Sequence, residues 1–330
     1  MKKPVAVLLV AGALLFSTSL FANPDSRVVE NPIIKQFITD MVKKHGFKRK
    51  ALQNLFAQAE IKPEIIDRMN RPAEAWPWYR YRKLFLTQER IEQGVEFWRE
   101  NKDTLQKAED KFGVAAEIVV AILGVETKYG RIKGTFRLLD SLTTLVVDYP
   151  KRSKFFKKEL EQFLLLAREE GFDPLQLTGS YAGAMGKSQF IASSYRHYAI
   201  DFNGDGVRDL LHSNEDAIGS IASYLANNGW ERGEPIAAEA SVTGGKYKKL
   251  LKKGLKPKLK FAKLNSYGVK SSERFKDKSK VALVELEKTE ESKEYWVILQ
   301  NFYAITRYNH SPLYAMAAFQ LGENIRQKMQ

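Results

Sequence analysis

The chain has 330 residues, of which 44% are hydrophobic and 28% charged, which is enough apolar material for a sizeable core and about two domains. Lys and Arg number 53 against 39 Asp and Glu, so the net charge is +14, and cysteine is absent. The composition excludes disulfide scaffolds, thiolate metal sites, Fe–S clusters, cysteine nucleophiles and an anchor attached through a lipid-carrying cysteine.

The chain begins with the pattern of an export signal. Lys2 and Lys3 precede an uncharged apolar run over residues 5–15, and small residues continue to Ala22. This pattern predicts a cleavable signal peptide over residues 1–22, with a short uncleaved anchor as the alternative. No later stretch is long and apolar enough to cross a bilayer. A basic exported protein is expected to meet a membrane surface or an acidic wall polymer, and not nucleic acid.

Most of the mature chain has the periodicity of amphipathic helices. Apolar residues recur at spacings of three and four, and this spacing predicts helices within residues 33–59, 84–112, 114–129, 154–169, 216–227 and 312–329. We expect Asp216 to cap the start of one helix and Gly130 to end another.

Residues 231–300 interrupt this helical pattern. Alternating apolar residues at 281–286 and 295–299 predict strands, and the stretch 246–280 is dense in lysine. We interpret residues 231–300 as a small sheet inserted into a helical protein. The lysines are expected to form a solvated face and not a specific site.

The catalytic candidate is Glu126, the one ionisable group in residues 118–127. Apolar surroundings and the negative end of the helix dipole both favour the neutral carboxyl, which raises its pKa. A proton donor in glycoside cleavage needs such a pKa. The alternative is an ordinary surface glutamate at a helix end.

Two loops carry patterns of ligand sites. The glycines of residues 179–190 allow tight turns and a close approach to a ligand, although a plain connecting loop has the same pattern. Residues 201–209 match the first nine positions of a calcium loop, but the twelfth is His212 where Glu is expected. Asp216, or the adjacent Glu215, is expected to complete that site. A turn rich in Asp and Asn without metal is the alternative.

Residues 301–316 cluster tyrosines with an asparagine after a predicted strand. Such rings stack on sugar faces and amides bind hydroxyl and N-acetyl groups, so the segment is typical of a sugar site. Packing of the same tyrosines in the core is the alternative.

Four motifs in this order resemble those of the B-type lytic murein transglycosylases of Gram-negative bacteria; they lie at residues 124–130, 180–190, 201–206 and 305–311. Residues 77–82 and 97–98 resemble the N-terminal part of that family. The resemblance implies a mainly α fold. It comprises an N-terminal α domain (23–110), a lysozyme-like helical core (111–230, with its calcium loop at 201–216), a small β insertion (231–300) and the C-terminal part of the core (301–330).

The resemblance also implies an activity. It is the cleavage of the β-1,4 bond from N-acetylmuramic acid to N-acetylglucosamine without water, which leaves a 1,6-anhydromuramoyl end. The predicted signal peptide places such an enzyme in the periplasm, and the absence of cysteine predicts no stable membrane anchor, although members of the family can be lipid-anchored. The implied partners are peptidoglycan glycan strands, stem peptides and proteins of cell-wall synthesis or hydrolysis. No cofactor is implied for catalysis, and calcium is implied as a structural ion.

The family's functional positions are carried over residue by residue. Glu126 matches the single acid/base. The positions that match the substrate cleft are Tyr81, Lys151, Arg152, Ser180, Met185, Gln189, Tyr224, Tyr308, Asn309 and Tyr314. The matching calcium ligands are Asp201, Asn203, Asp205, Val207 through its carbonyl, and Asp216. Lys151 replaces an arginine of the family and loses the bidentate contact to a stem-peptide carboxylate. The stretch before Asp216 is one residue longer than in the family.

With one carboxylate, Glu126 would act first as acid and then as base, and the substrate N-acetyl group would replace the second carboxylate. Two other classes remain open on the sequence. A hydrolytic muramidase would need a second carboxylate, for which Asp140 and Asp148 are the nearby candidates in sequence. A calcium-stabilised wall-binding protein would need no catalytic group.

Overall fold

The computed structural model describes residues 26–330, so the predicted signal peptide lies outside the described residues. The described chain is mainly helical. Its α-helices are α1 (Ser26–Glu30), α2 (Pro32–His45), α3 (Arg49–Phe56), α4 (Pro63–Met69), α5 (Trp78–Tyr81), α6 (Gln88–Glu100), α7 (Lys102–Phe112), α8 (Ala116–Thr127), α9 (Leu138–Asp148), α10 (Ser153–Glu170), α11 (Ala192–Tyr198), α12 (Asn214–Asn227), α13 (Lys248–Leu251), α14 (Gln300–Tyr308) and α15 (Pro312–Met329). No helix of this part of the chain has the length and apolarity that a bilayer crossing requires.

The strands form two small antiparallel sheets. They are β1 (Phe136–Arg137), β2 (Thr178–Gly179), β3 (Ala237–Val242), β4 (Leu259–Lys260), β5 (Val269–Ser271), β6 (Lys280–Glu287) and β7 (Lys293–Ile298). β1 pairs with β2, and the other five strands are ordered β4-β6-β7-β3-β5. The larger sheet lies within residues 231–300, as the alternating pattern predicts.

Capping residues determine where two of the predicted helices begin. α15 begins at Pro312, and the Ser311 side chain accepts hydrogen bonds from the backbone N–H groups of the first turn, as is typical of a helix N-terminus. α12 is capped by Ser213, whose Oγ accepts the Asp216 N–H at 3.0 Å. The prediction that Asp216 itself caps α12 is therefore wrong, since Asp216 lies within the first turn.

The core consists of three clusters of buried apolar side chains. The first joins α5–α8, α12, α14, α15 and one face of the larger sheet. The second joins α1–α4 to α9–α11, and the third lies on the other face of the sheet. The predicted N-terminal domain, residues 23–110, is thus divided between two clusters, because α1–α4 and α5–α7 pack on different helices. Tyr224 and Tyr308 pack against both the first and the second cluster.

α9 is a helix that the periodicity did not predict. Its residues 138–146 are all buried, and the helix packs against α10 and α4. Its polar residues Asp140, Ser141, Thr143 and Thr144 are buried together with its apolar ones.

Candidate active site

Glu126 is the penultimate residue of α8, and the turn that follows it is unusual. Lys128, Tyr129 and Gly130 have φ angles of 48°, 61° and 85°, all in the left-handed region. The Lys128 N–H donates to the Gly124 carbonyl at 3.2 Å and so caps the helix. The expectation that Gly130 forms the C-cap is therefore wrong by two residues, since a lysine already takes the left-handed conformation that usually favours glycine.

Two buried side chains, Tyr129 and Arg90, hold this end of α8 against α6. Tyr129 Oη donates to the Arg90 carbonyl at 2.7 Å. The buried Arg90 guanidinium donates to the carbonyls of Gly124 and Leu84. A Cβ at position 124 would lie 2.6 Å from Tyr129 Oη, so glycine is required there. Both contacts fix the helix end that carries Glu126.

Thr127 ties the same helix end to the glycine-rich loop. Its buried Oγ1 donates to the Lys187 carbonyl at 2.8 Å and accepts the Gly130 N–H at 2.9 Å. The residue next to Glu126 therefore fixes the distance between α8 and residues 179–190.

The carboxyl of Glu126 is only partly accessible and has one tyrosine as its hydrogen-bond donor. Tyr314 Oη, in the first turn of α15, donates to Glu126 Oε1 at 2.6 Å. Burial raises the pKa of Glu126 to about 7; the Tyr314 hydrogen bond opposes this shift and the negative charge of Glu74 adds to it. The apolar residues of α8 predict the same direction. Near neutral pH, Glu126 can therefore both donate and accept a proton.

An aromatic wall stands beside Glu126 where the first two clusters meet. The rings of Tyr308 and Tyr314 are parallel within 5°, with centroids 6.3 Å apart. Tyr224 lies 5.0 Å from Tyr308, and Phe190 contacts both. The hydroxyls of Tyr224 and Tyr308 donate to the backbone carbonyls of Arg307 and Ser188. These bonds fix the rings. Tyr314 and Phe190 are almost completely buried, whereas Tyr224 and Tyr308 are half-buried, so only the last two have ring surface that a ligand can reach.

Most of the predicted residues in the glycine-rich loop hold its backbone in place. Ser180 Oγ accepts the Ala184 N–H at 3.0 Å. Gln189, with a φ of 49°, donates from Nε2 to the carbonyls of Lys133 and Gly186 at 3.1 and 2.9 Å. Met185 is completely buried in the second cluster. The structure therefore places the Met185 side chain behind the surface of the site and not on it.

The segment around α5 brings two further groups towards Glu126. Tyr81 is buried, and its ring centroid lies 5.1 Å from that of Phe85. Burial raises the pKa of Tyr81, and the negative charges of Glu74 and Glu126 raise it further. Glu74 Oε1 lies 3.4 Å from Asn309 Nδ2, a long hydrogen-bond contact. Sequence reasoning missed Glu74; its nearness to the Pro-Trp motif at residues 77–78 was the available signal.

Lys151 and Arg152 lie in the turn between α9 and α10, and both are exposed. The Arg152 guanidinium is 4.2 Å from the centre of the Phe155 ring. Burial lowers the pKa of His310, and the positive charges of Arg307 and Arg152 lower it further. Arg152 is thus near enough to the segment that follows α14 for its charge to act there.

Neither carboxylate proposed for a hydrolase, Asp140 or Asp148, is among the charges that act on Glu126. Asp140 is buried, pairs with Arg137 at 2.7 Å and accepts the Glu60 N–H at 2.8 Å. Asp148 is exposed at the end of α9. The Asp140 carboxylate therefore has a structural ion pair, and Glu74 is the carboxylate whose charge reaches Glu126.

Residues 201–209 fold into a loop around the oxygens of Asp201. These oxygens accept the N–H groups of Gly204 and Gly206 at 2.6 and 2.8 Å. Asp205 Oδ1 accepts the Val207 N–H at 2.8 Å, and Asn203 Nδ2 contacts Asp205 Oδ2 at 2.9 Å. The loop has the curvature of a cation site and hard oxygen donors.

Asp216 closes this loop from α12. The residue is completely buried, and its two oxygens accept the N–H groups of Phe202 and Asp209, each at 2.8 Å. Glu215 is exposed, so of the two candidates it is Asp216 that reaches the loop. Carboxylate, amide and carbonyl oxygens suit Ca²⁺. Among residues 26–330 no three His, Cys, Asp or Glu side chains converge as a metal cluster, and the oxygens of Asp201 and Asp216 accept backbone N–H groups.

Known proteins are similar to this chain in sequence and in fold. The family model described as Transglycosylase SLT domain matches residues 30–323. The Escherichia coli (strain K12) protein named membrane-bound lytic murein transglycosylase B is 42% identical over 305 residues, which cover 89% of this chain and 83% of that protein. The catenated lytic transglycosylase SltB1 from Pseudomonas aeruginosa has a TM-score of 0.85 and 43% identity, covering 92% of this chain and 99% of that chain.

A further solved structure, of the Escherichia coli lytic transglycosylase Slt35 in complex with calcium, has a TM-score of 0.82 and 42% identity; the match covers 91% of this chain and 94% of that chain. The chain therefore belongs to the Transglycosylase SLT domain family. The predicted mainly α, lysozyme-like fold and the predicted class of enzyme, a peptidoglycan lytic transglycosylase, are confirmed.

Proposed function

We propose that Glu126 is the single acid/base with which this enzyme cleaves the MurNAc-β-1,4-GlcNAc bond and forms a 1,6-anhydromuramoyl end. The observation that carries the proposal is the Glu126 carboxyl itself. It is partly buried beside an aromatic wall and bonded to Tyr314 at 2.6 Å, and burial raises its pKa to about 7.

In the first step, neutral Glu126 donates its proton to the glycosidic oxygen, and the bond from that oxygen to the muramoyl C1 breaks. The leaving N-acetylglucosamine end departs as an alcohol, and C1 develops positive charge. The muramoyl N-acetyl oxygen stabilises this centre in place of a second carboxylate. Because the pKa of Glu126 is about 7, a large share of the enzyme carries the required proton at neutral pH.

In the second step, the ionised Glu126 takes the proton of the muramoyl 6-hydroxyl, and O6 bonds to C1. The 1,6-anhydro ring closes, the carboxyl regains its proton, and no water is consumed. Ring closure is faster than hydrolysis only if the cleft keeps water away from C1. Tyr308 and Tyr314 suit this role because their rings are stacked and their hydroxyls are held by Ser188 and Glu126.

The remaining predicted residues would bind substrate around this centre. The half-buried Tyr224 and Tyr308 would stack on pyranose faces, and Asn309 would bind a hydroxyl or N-acetyl group. Ser180 and Gln189 hold the loop so that its backbone can approach the sugar, and Tyr81 and Met185 support the site from buried positions. Lys151 and Arg152, exposed in one turn, would attract stem-peptide carboxylates.

We further propose that Ca²⁺ binds between the loop and α12, through oxygens of Asp201, Asn203, Asp205, Asp216 and the Val207 carbonyl. The buried position of Asp216 and the calcium complex of a relative 42% identical to this chain support this site. The ion would tie residues 201–209 to α12, which carries Tyr224.

Removal of calcium should therefore lower stability without removing a catalytic group. Adding a chelator should lower the midpoint of thermal unfolding, and Ca²⁺ should restore it, because an ion that binds only the folded state stabilises it. Asp201→Asn should reduce the chelator effect, and Asp173→Asn, an exposed acid outside the loop, should not. A midpoint that is the same with chelator and with Ca²⁺ would disprove the site.

Export is the third part of the proposal. Residues 1–22 would direct the chain to the periplasm, where its substrate lies. N-terminal sequencing of the protein recovered from a Gram-negative host should give a mature start near Asn23. An intact Met1 in the recovered protein would contradict cleavage.

Product masses test the reaction. Purified sacculi digested with the mature protein should release muropeptides that are one water lighter than those released by a hydrolytic muramidase. Reducible muramic acid ends in the same digest would assign a hydrolase instead. Binding to sacculi without release of soluble fragments would assign a wall-binding protein.

A further inference from the structure

Nearly all the net charge of this protein lies in one stretch of the β insertion. Residues 246–280 contain thirteen lysines and one arginine against one glutamate and one aspartate, a balance of +12, whereas the whole chain has +14. The rest of the chain is therefore almost neutral. The positive charge that the composition suggests for the whole protein belongs to one small region.

This region, which we call the lysine cover, lies on the outer face of the five-stranded sheet. Ala282, Val284 and Leu286 of β6 face the catalytic helices in the first cluster. The alternate residues Val281 and Leu283 face the third cluster, as the period of two in a strand requires. The third cluster is completed by apolar residues of the cover, namely Leu250, Phe261, Leu264, Val269 and Phe275. The sheet thus separates most of the cover from the helices that carry Glu126, although Leu255 of the cover packs against the first cluster.

The charges of the cover are free to act on an external surface. Its lysines are all exposed. Among the described residues, ion pairs involve only two of the cover's basic side chains, Arg274 with Asp277 and Lys276 with Glu234. The chain's large, strongly exposed apolar side chains all lie outside residues 246–280. The cover therefore suits electrostatic adsorption and not the insertion of side chains into a hydrocarbon layer.

We propose that the lysine cover docks the enzyme on an anionic phospholipid bilayer, with the catalytic cleft left free. Lysine is a compact, mobile charge, and a diffuse lysine array matches headgroups that can gather beneath it in a fluid leaflet. Fixed carboxylates on a wall polymer would favour the bidentate fork of arginine, of which the cover has one. The sheet between cover and cleft lets one face hold lipid while the other holds glycan.

Vesicle binding by the full mature chain tests the proposal. Vesicles of phosphatidylcholine with about one third phosphatidylglycerol should sediment the protein, and pure phosphatidylcholine vesicles should not. A tenfold rise in NaCl should release it, because salt screens exposed charges. Replacing five cover lysines by Gln should weaken binding by at least about a hundredfold, since each lysine near the surface is worth about 1 kcal/mol. The five are Lys248, Lys249, Lys252, Lys256 and Lys258.

A matched variant tests whether vesicle binding depends on the lysine cover or only on the net charge of the protein. It carries five Gln substitutions at exposed lysines of α2, α3, α7 and the loop between α2 and α3, which are Lys43, Lys44, Lys48, Lys50 and Lys102. It should keep its vesicle binding. Both variants should keep the circular dichroism of the parent and its release of muropeptides from detergent-treated sacculi.

Three results would overturn the proposal. They are equal binding to anionic and neutral vesicles, equal losses in the two variants, and a cover variant that loses binding to sacculi but keeps binding to vesicles. The last result would assign the cover to the wall polymer. None of these results depends on Glu126, so the proposal can fail while the proposed reaction stands.

Discussion

Helix α8 carries a glutamate near each end, and the two make a natural comparison. Glu117 lies in the first turn and Glu126 in the last, and both side chains are partly buried. Burial raises the pKa of both, so burial alone does not distinguish them. Their partners do. Glu117 lies 4.0 Å from Arg326, and its own backbone N–H and Arg326 oppose the rise, whereas Glu126 has a neutral phenol, Tyr314, as its partner.

The helix itself increases this difference. Its positive N-terminal end stabilises an ionised Glu117, and its negative C-terminal end favours a neutral Glu126. Like charges act on both groups, Glu109 and Glu323 on Glu117 and Glu74 on Glu126. An apolar helix with a carboxyl at each end therefore offers a proton donor at one end only. The site is defined by a neutral hydrogen-bond partner beside an aromatic wall.

The largest expected effect is on the rate of muropeptide release, and it should appear when the two carboxyls are removed in separate variants and compared. Glu126→Gln keeps the size of the side chain and removes proton transfer, so the rate of muropeptide release should fall by roughly two to four orders of magnitude. Glu117→Gln should stay within about twofold of the parent, because no step uses it. Similar losses in both variants, with intact circular dichroism, would remove the distinction between the two ends of α8.

Loss of the phenol partner should come next. Tyr314→Phe removes the hydrogen bond that lowers the pKa of Glu126, so that pKa should rise above about 7 and the alkaline limb of kcat/KM should move to higher pH. The rate should fall about tenfold, as is typical for one lost active-site hydrogen bond. Tyr303→Phe on α14 is the matched control. A limb that moves to lower pH would contradict the assigned hydrogen bond.

The partly buried Glu126 carboxyl should also lower the stability of the folded protein at high pH. Below about pH 4.5 Glu126 is protonated in both folded and unfolded chains and has no effect. Above about pH 7 both are ionised, and the raised pKa in the folded chain destabilises it by about 2 kcal/mol, allowing for partial exposure. Glu126→Gln should therefore raise the thermal midpoint at pH 9 and leave it unchanged at pH 4. An equal shift at both pH values would argue against ionisation as its cause.

The smallest effect should come from Glu74, which reaches the site from the segment before α5. Its charge raises the pKa of Glu126, so Glu74→Gln should move the alkaline limb of kcat/KM to lower pH by a few tenths of a unit, with KM nearly unchanged. Glu100→Gln, the same charge change at the exposed end of α6, is the control. A shift to higher pH would show that Glu74 acts otherwise than through its charge.

Local patterns predicted the elements that have one apolar face. The periodicity placed α15 at residues 312–329, as observed, and the alternation found β6 and β7 to within about two residues at most ends. α9 was not predicted, although Leu138, Leu142, Leu145 and Val146 have the spacing of a helix. The left-handed conformation of Lys128 was not predicted, because glycine usually takes this conformation and the sequence offers Gly130. Here the Tyr129 and Arg90 contacts impose it on a lysine.

The candidate site was predictable only in part, because its contacts join residues that are far apart in the sequence. Glu126 stands out because its neighbours on α8 are apolar, and its pKa follows from them. Its partner Tyr314 is 188 residues away, and the Glu74 contact with Asn309 spans 235 residues. No local pattern encodes such contacts. The resemblance to a family supplied Tyr314, whereas Glu74 needed the folded chain.

The glycine beneath Tyr129 sets a limit for anyone who wishes to make this enzyme more heat-tolerant. Exchanging a helical glycine for alanine is a common route to thermostability, worth about 1 kcal/mol. At Gly124 the added methyl carbon would lie 2.6 Å from the phenol oxygen of Tyr129 and would displace the Tyr129 ring. Glu126, two residues further on, would lose its alignment, so Gly124→Ala should lower turnover and should not bring the usual gain in melting temperature.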